Sequence, residues 1–231
     1  MKKFELTSEF VTLLGKKLFR IKALISFGNV KEGELGGFVE KEENLSNDGN
    51  AWVYGDAWVY GNARVSGNAW VFGNARVYGD AWVYGDAEVY GDAEVCGDAR
   101  VYGNTRVCGD ARVYGDAEVC GDAWVYGDAR VYGNARVYGD AWVCGNARVY
   151  GDAWVSGNAD YATVHGFGSE YRTTTFFRTK AGDIGVRCGC FYGTLEEFRA
   201  KVKETHGETK TAKEYLMVAD LMEFRFSKEE V

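Results

Sequence analysis

From Gly49 to Ser156 one pattern of six positions, G-[DN]-A-x-V-[YFCS], runs through eighteen consecutive hexads with no residue inserted or lost, and Thr105 alone stands in place of the Ala. Inside each hexad the stretch A-x-V-Y alternates small, variable, aliphatic and aromatic, which is the period of a β-strand. Ala and Val then share one face, and x and Tyr share the other. Gly followed by Asp or Asn tolerates positive φ, so a corner is expected after every strand. A strict short period without helical spacing predicts a solenoid whose coils stack on one another. The x position holds all seven Trp together with Arg and Glu, which predicts an outward face, while the small, uniform Val/Ala face suits a narrow bore.

The flanks break the period. Residues 10–24, FVTLLGKKLFRIKAL, predict a hairpin turning at Gly15-Lys16. Val39 and Leu45 are six apart, so winding is expected to begin near residue 36, and the step of eight from Leu45 to Val53 predicts a two-residue bulge. After Tyr161, YRTTTFFRT and IGVRCGCFYG predict two further strands, and the boxes Thr194-x-x-Glu197 and Thr211-x-x-Glu214 open two short helices. Such ends cover a solenoid against edge pairing. The expected organisation is an N-terminal β cap with a first irregular coil over residues 1–48, the repeat over 49–158, and a C-terminal α+β cap over 159–231.

The unit V-Y-G-D-A-x resembles the hexapeptide repeat of left-handed β-helix proteins, although the position after the aliphatic residue, small or acidic in that family, is mostly Tyr here. The stretch RIKALISFGNVKEGELGGFVE before the repeat and GCFYGTLEEF after it extend the likeness, over nearly the whole chain, to hexapeptide-repeat proteins of bacteria and phages. The resemblance implies an all-β solenoid: a left-handed parallel β-helix of about six triangular coils, three hexads to a coil and ~29 Å long at ~4.8 Å per strand. It also implies a homo-oligomer, trimer or dimer. The repeat by itself leaves open a two-sided coil of twelve residues, which would put Cys96, Cys108, Cys120 and Cys144 in one column.

In a three-sided coil, residues eighteen apart stack. One face then carries Trp52, Trp70, Trp124 and Trp142 beside Phe72 and Tyr126. These are expected either to stack as a ladder or to form an oligomer interface, since large apolar patches seldom stay exposed. A second face carries Arg112, Arg130 and Arg148, each beside one of Tyr114, Tyr132 and Tyr150. Like charges at that spacing repel. Either the guanidiniums lie over aromatic rings with corner Asp as partners, or they form a slot for phosphate or an acidic partner.

Charge and composition narrow the function classes. The repeat carries eight Arg against three Glu and eleven Asp, a net of −6 out of −7 for the chain. No segment is a basic tail, so direct nucleic-acid binding is not expected. Mimicry of nucleic acid is a weak alternative, because a duplex of that length carries roughly 17 charges. No apolar run approaches the ~20 residues of a membrane span, and Glu5, Ser8 and Glu9 interrupt any signal-peptide core.

Catalytic chemistry is thin. Carbonic anhydrases of the hexapeptide fold use three His around a metal, and its acyltransferases use a His of the coil as base. This chain has only His165 and His206, both outside the repeat. No catalytic residue, metal ligand or cofactor is therefore assigned, and an acyltransferase survives as an alternative through His165. Cys188-x-Cys190 is a poor match to zinc spacing, and strand alternation places both sulfurs on one face as a packed pair. The other cysteines are expected to be free thiols of a cytoplasmic protein. The expected function is non-enzymatic macromolecular binding or scaffolding with self-association and an unknown protein partner, in the manner of a phage-type inhibitor of a host component.

Overall fold

The computed structural model describes residues 2–168 and 170–227. The hexads wind three to a coil. Strands eighteen residues apart pair in parallel and in register, as Trp52 with Trp70, Glu88 with Arg106 and Arg130 with Arg148. Three parallel stacks result, which removes the two-sided coil and sends Cys96, Cys108 and Cys120 to different faces. Every repeat Val, and every repeat Ala, is buried in one continuous core, with Thr105 buried in the Ala position.

Strand β3 (Leu35–Val39) begins the first stack, pairing Val39 with Val59, and Leu45 bridges to Val65. Both steps are two residues longer than the coil period, so the bulge expected before the first hexad is present. With this irregular coil the first stack has seven parallel strands, about seven turns in all. A hairpin of β1 (Phe4–Leu13) and β2 (Lys16–Ala23) extends that sheet antiparallel to β3. Its turn lies at Leu14–Gly15, both at positive φ, one residue earlier than expected.

The coil has a polarity that the caps must answer. Each coil's amides donate to carbonyls of the following coil: Trp58 N–H reaches the Ala75 carbonyl at 2.9 Å and Arg112 N–H reaches Ala129 at 2.9 Å. The first regular coil therefore presents carbonyls without donors, and the last presents amides without acceptors. On one side of the first coil, Phe38 N–H donates to the Ala57 carbonyl at 2.9 Å. On the other two sides side chains supply donors, joined on one of them by the Ser46 amide, which reaches the Val65 carbonyl at 2.9 Å. Asn44 Nδ2 donates to the Gly61 and Ala63 carbonyls at 3.1 and 2.8 Å, and Lys3 Nζ donates to Ala51 at 2.8 Å and Gly49 at 3.3 Å.

At the far end the groups are acceptors. Asn158 Oδ1 takes the Trp142 amide at 2.8 Å, Thr175 Oγ1 takes Arg148 at 2.9 Å, and Asp160 Oδ2 takes Ser156 at 2.9 Å. Unpaired buried backbone groups are costly, so these few polar residues close the ladder as surely as the core does.

Burial pushes the Lys3 ammonium down from 10.5 to about 8, against the pull of Asp48. The unfolded chain then binds more protons than the folded one between those values, so this group makes stability rise with pH across that window. Wild type is expected to gain stability from about pH 8 to about pH 10 relative to Lys3→Met. Urea midpoints at each pH measure this, and equal slopes for the two proteins contradict it.

Trp52 corrects the outward assignment of the x column. It is fully buried, because β1 and the Phe27–Val30 turn fold over the first coil. Phe4 and Phe27 meet its ring edge-on at 6.3 and 5.4 Å. Trp70, one coil on, is half-buried on the outer face.

The C-terminal cap is a four-stranded antiparallel sheet, Tyr161–Val164, Thr174–Arg178, Ile184–Cys188 and Phe191–Thr194, followed by α1 (Leu195–His206) and α2 (Lys210–Phe226). Strand alternation lets Thr174–Arg178 serve both sides: Phe177 joins the solenoid core while Phe176 joins a second core under the helices. The segment IGVRCGCFYG is two strands joined at Gly189–Cys190, not one. Cys190 is therefore exposed in the turn and Cys188 is held at the strand end by the Thr174 hydroxyl, 3.1 Å away, so the expected packed pair does not form. Thr194 and Glu197 close the expected capping box on α1. The second helix starts earlier than its box implied, capped by Thr209, whose hydroxyl accepts from Ala212 N–H.

Thr105 is the one departure from the Ala column, and its buried hydroxyl has no partner among the described residues. Thr105→Ala removes that unpaired group at the cost of one methyl, and is expected to stabilise the protein by about 1 kcal/mol. Thermal melting checks the sign; a lower melting temperature means the hydroxyl has a partner in solution.

Candidate functional site

The order of residues along each outer column decides which charges are balanced within the fold. Glu88 sits one rung from Arg106, Glu94 lies between Arg76 and Arg112, and Glu118 lies between Arg100 and Arg136. Ion pairs follow at 3.2 Å for Arg106–Glu88, 3.7 Å for Arg112–Glu94, 3.7 Å for Arg100–Glu118 and 3.0 Å for Arg136–Glu118. Tryptophan one rung away serves the same end. Arg64 lies over Trp82, Arg76 over Trp58, Arg106 over Trp124 and Arg136 over Trp154.

The corner aspartates are not the partners expected of them. Five of the eleven accept instead from corner Asn amides of the preceding coil, as Asp80 from Asn62 at 3.0 Å and Asp122 from Asn104 at 2.9 Å. Corner stacks on corner along the axis, and wherever an Asn precedes an Asp by one coil, as also at Asn68–Asp86, Asn74–Asp92 and Asn134–Asp152, the two are bonded.

Arg130 and Arg148 have neither Glu nor Trp one rung away. Arg130 stands between Arg112 and Arg148. Among the described residues, neither guanidinium forms a salt bridge, a hydrogen bond or a ring contact. Beside them Tyr114 and Tyr132 stack at 4.8 Å, Tyr132 and Tyr150 lie at 4.4 Å, and Tyr192 of the cap closes the row edge-on against Tyr150. Burial, and then Tyr132, push the Tyr114 hydroxyl above its usual range. The rings make a rigid floor and leave the two arginines unaccounted for.

The cap completes the place where they lie. Arg130 and Arg148 line a cleft of about 280 Å³ with Arg172 and His165 of the cap. Arg172 pairs with Glu170 at 3.5 Å, and His165 Nδ1 lies 3.1 Å from the Thr173 hydroxyl, which fixes the ring against the cleft wall. Sequence reasoning singled out Arg130, Arg148 and His165 but did not bring them together, and it missed Arg172. The return of the cap strand that places Arg172 leaves no mark in the repeat.

The aromatic face is mostly spent on itself. Trp124 stacks on Trp142 at 5.3 Å, and Phe72 stacks on Tyr90 at 4.7 Å. Trp70, Phe72, Trp124 and Tyr126 are half-buried, and Trp142 remains 48% exposed. A surface the sequence reading missed lies on α2, where Met217, Leu221 and Phe224 are 71%, 57% and 79% exposed. Their spacing of four and three, a seam of one helix face, was the available signal.

Each repeat cysteine lies one coil below a tyrosine. Cys108 pushes the Tyr90 hydroxyl up to about 12 and Cys120 does the same to Tyr102, while burial raises the Cys96 thiol. No helix among the described residues is long and apolar enough to cross a membrane.

Fold and surface together define a β-solenoid repeat protein. Residues 57–72, 69–85, 93–109, 129–145 and 141–157 match the family model described as the YdcK Beta solenoid repeat. Those stretches lie within the coils and cover less than half of the chain, so the similarity is one of repeat. No curated protein matches the chain.

Proposed function

We propose that this protein is a non-enzymatic binding module that presents Arg112, Arg130 and Arg148, on the floor of Tyr114, Tyr132 and Tyr150, to an acidic partner. One observation carries the reading. Every other repeat arginine, Arg112 included, has a Glu or Trp one rung away, and Arg130 and Arg148 do not. Adjacent like charges on paired strands are destabilising unless something outside the chain balances them. Guanidinium groups bind carboxylate and phosphate oxygens in paired geometry, and a rigid ladder loses little entropy on doing so.

The repeat is of the hexapeptide kind, and a stiff rod that captures an acidic surface can block it, which is how a phage-type inhibitor of a host component would act. Self-association fits the apolar seam of α2. An acyltransferase is the second reading, favoured by the position of His165 in the arginine cleft.

A native pull-down of the tagged protein from bacterial lysate tests the proposal, with Arg112/Arg130/Arg148→Ala as control. Acidic proteins captured by the wild type and lost by the control support it. Identical captures by both overturn it, and acyl-CoA turnover lost in His165→Ala moves the assignment to the second reading.

A further inference from the structure

Resting on that binding reading, we propose that the cleft between the last coils and the C-terminal cap is a site for a phosphate monoester with a hydroxylated body, of the sugar-phosphate class. Arg130 and Arg148 enter it from successive rungs of one sheet, and Arg172 enters from the cap. Three arginines lining one cleft from two separate elements suit an oxyanion, because each guanidinium fork can give two parallel hydrogen bonds to a phosphoryl group.

The rest of the lining says what the anion is attached to. Asp128, Asn146 and Thr173 complete the wall, and no apolar side chain contributes. An acyl chain would find nothing to pack against, whereas hydroxyls would find a carboxylate, an amide and a hydroxyl to bond. The volume, about 280 Å³, is at the small end for ligand sites and suits a phosphate with a single ring.

The cap is shaped to hold Arg172 in place. Gly189 turns at φ +57, and a side chain there would bring its Cβ to 2.8 Å from Arg172 Nη1. His165 is oriented by Thr173 from the next strand. Asp128 and the Glu170 partner of Arg172 offset two of the three positive charges. The remaining charge and the hydrogen bonds act together, and neutral sugars lack the group that the arginines hold.

Isothermal titration of the full chain with ribose 5-phosphate, inorganic phosphate, ribose and poly-glutamate tests this. The expected result is binding of ribose 5-phosphate, weaker binding of phosphate, and none of ribose. Arg148→Gln and Arg172→Gln are each expected to weaken ribose 5-phosphate by about tenfold or more. Gly189→Ala keeps all three arginines but displaces one, and is expected to weaken binding with the fold intact by circular dichroism. Ribose 5-phosphate binding unchanged in the arginine variants overturns the site. Poly-glutamate bound through Arg130 and Arg148 without any phosphate binding overturns the cleft but leaves the acidic-partner reading standing. Binding of neither probe overturns both.

Discussion

Trp52→Ala is expected to lower the unfolding free energy by about 3–5 kcal/mol, the range for deleting a large buried aromatic side chain. Trp52 is fully buried, with Phe4 and Phe27 packed edge-on against its ring and Tyr54 at 6.5 Å. Its removal leaves a cavity where three elements meet: the hairpin, the Phe27–Val30 turn and the first coil. The buried indole N–H has no partner among the described residues, so part of the side chain is already a burden. Trp52→Phe therefore costs less than Trp52→Ala, because it keeps a ring and removes the unpaired donor. Trp142→Ala, at an exposed position of the same column, is expected to cost about 1 kcal/mol. Urea unfolding of the three variants measures the series. A loss at Trp52 no larger than at Trp142 contradicts the burial of Trp52 beneath the cap.

Gly97→Ala is expected to cost about 3 kcal/mol or more, and Gly145→Ala only about 1–2 kcal/mol. Both glycines sit at corners with left-handed φ, +70 and +61, where any L side chain pays the same conformational penalty. They differ in what lies beyond. A Cβ on Gly97 would stand 2.9 Å from the Gly115 amide nitrogen and 3.2 Å from its carbonyl oxygen, and backbone in the next coil cannot swing aside. A Cβ on Gly145 meets nothing within 4 Å. The difference between the two variants isolates the contact between coils from the strain of the corner. Equal losses at both positions mean that φ alone selects glycine there.

How much of this was legible in the sequence depends on whether a residue's role is repeated. The hexad states the strand, the corner and the inward Val/Ala face eighteen times over, and the fold follows from it. Trp52 and Trp70 occupy the same letter of the hexad, yet one is core and the other half-buried, because only the first lies under the hairpin. Lys3 and Asn44 are single polar letters in irregular flanks. Nothing local marks them as donors to carbonyls 46 and 48 residues on for Lys3, and 17 and 19 for Asn44, since that role exists only once the winding has placed them.

The candidate site divides in the same way. The stacking of Arg112, Arg130 and Arg148 could be read from the period, and so could the neighbours of every arginine once the eighteen-residue coil was settled. The columns already showed which arginines lack a Glu or Trp beside them. Arg172 and Gly189 could not be read, because they reach the cleft through a cap whose turn at Gly189–Cys190 falls inside what reads as one continuous strand.

The central claim is that Arg130 and Arg148 are kept for something outside the chain rather than for the fold. The melting temperature of Arg130→Glu at low salt tests it most directly. A glutamate there would sit between Arg112 and Arg148, as Glu94 sits between Arg76 and Arg112. Cross-strand pairs of opposite charge contribute up to about 1 kcal/mol, so the account predicts a higher melting temperature together with loss of the bound partner. A lower melting temperature would show that Arg130 serves the solenoid itself, and would contradict the account.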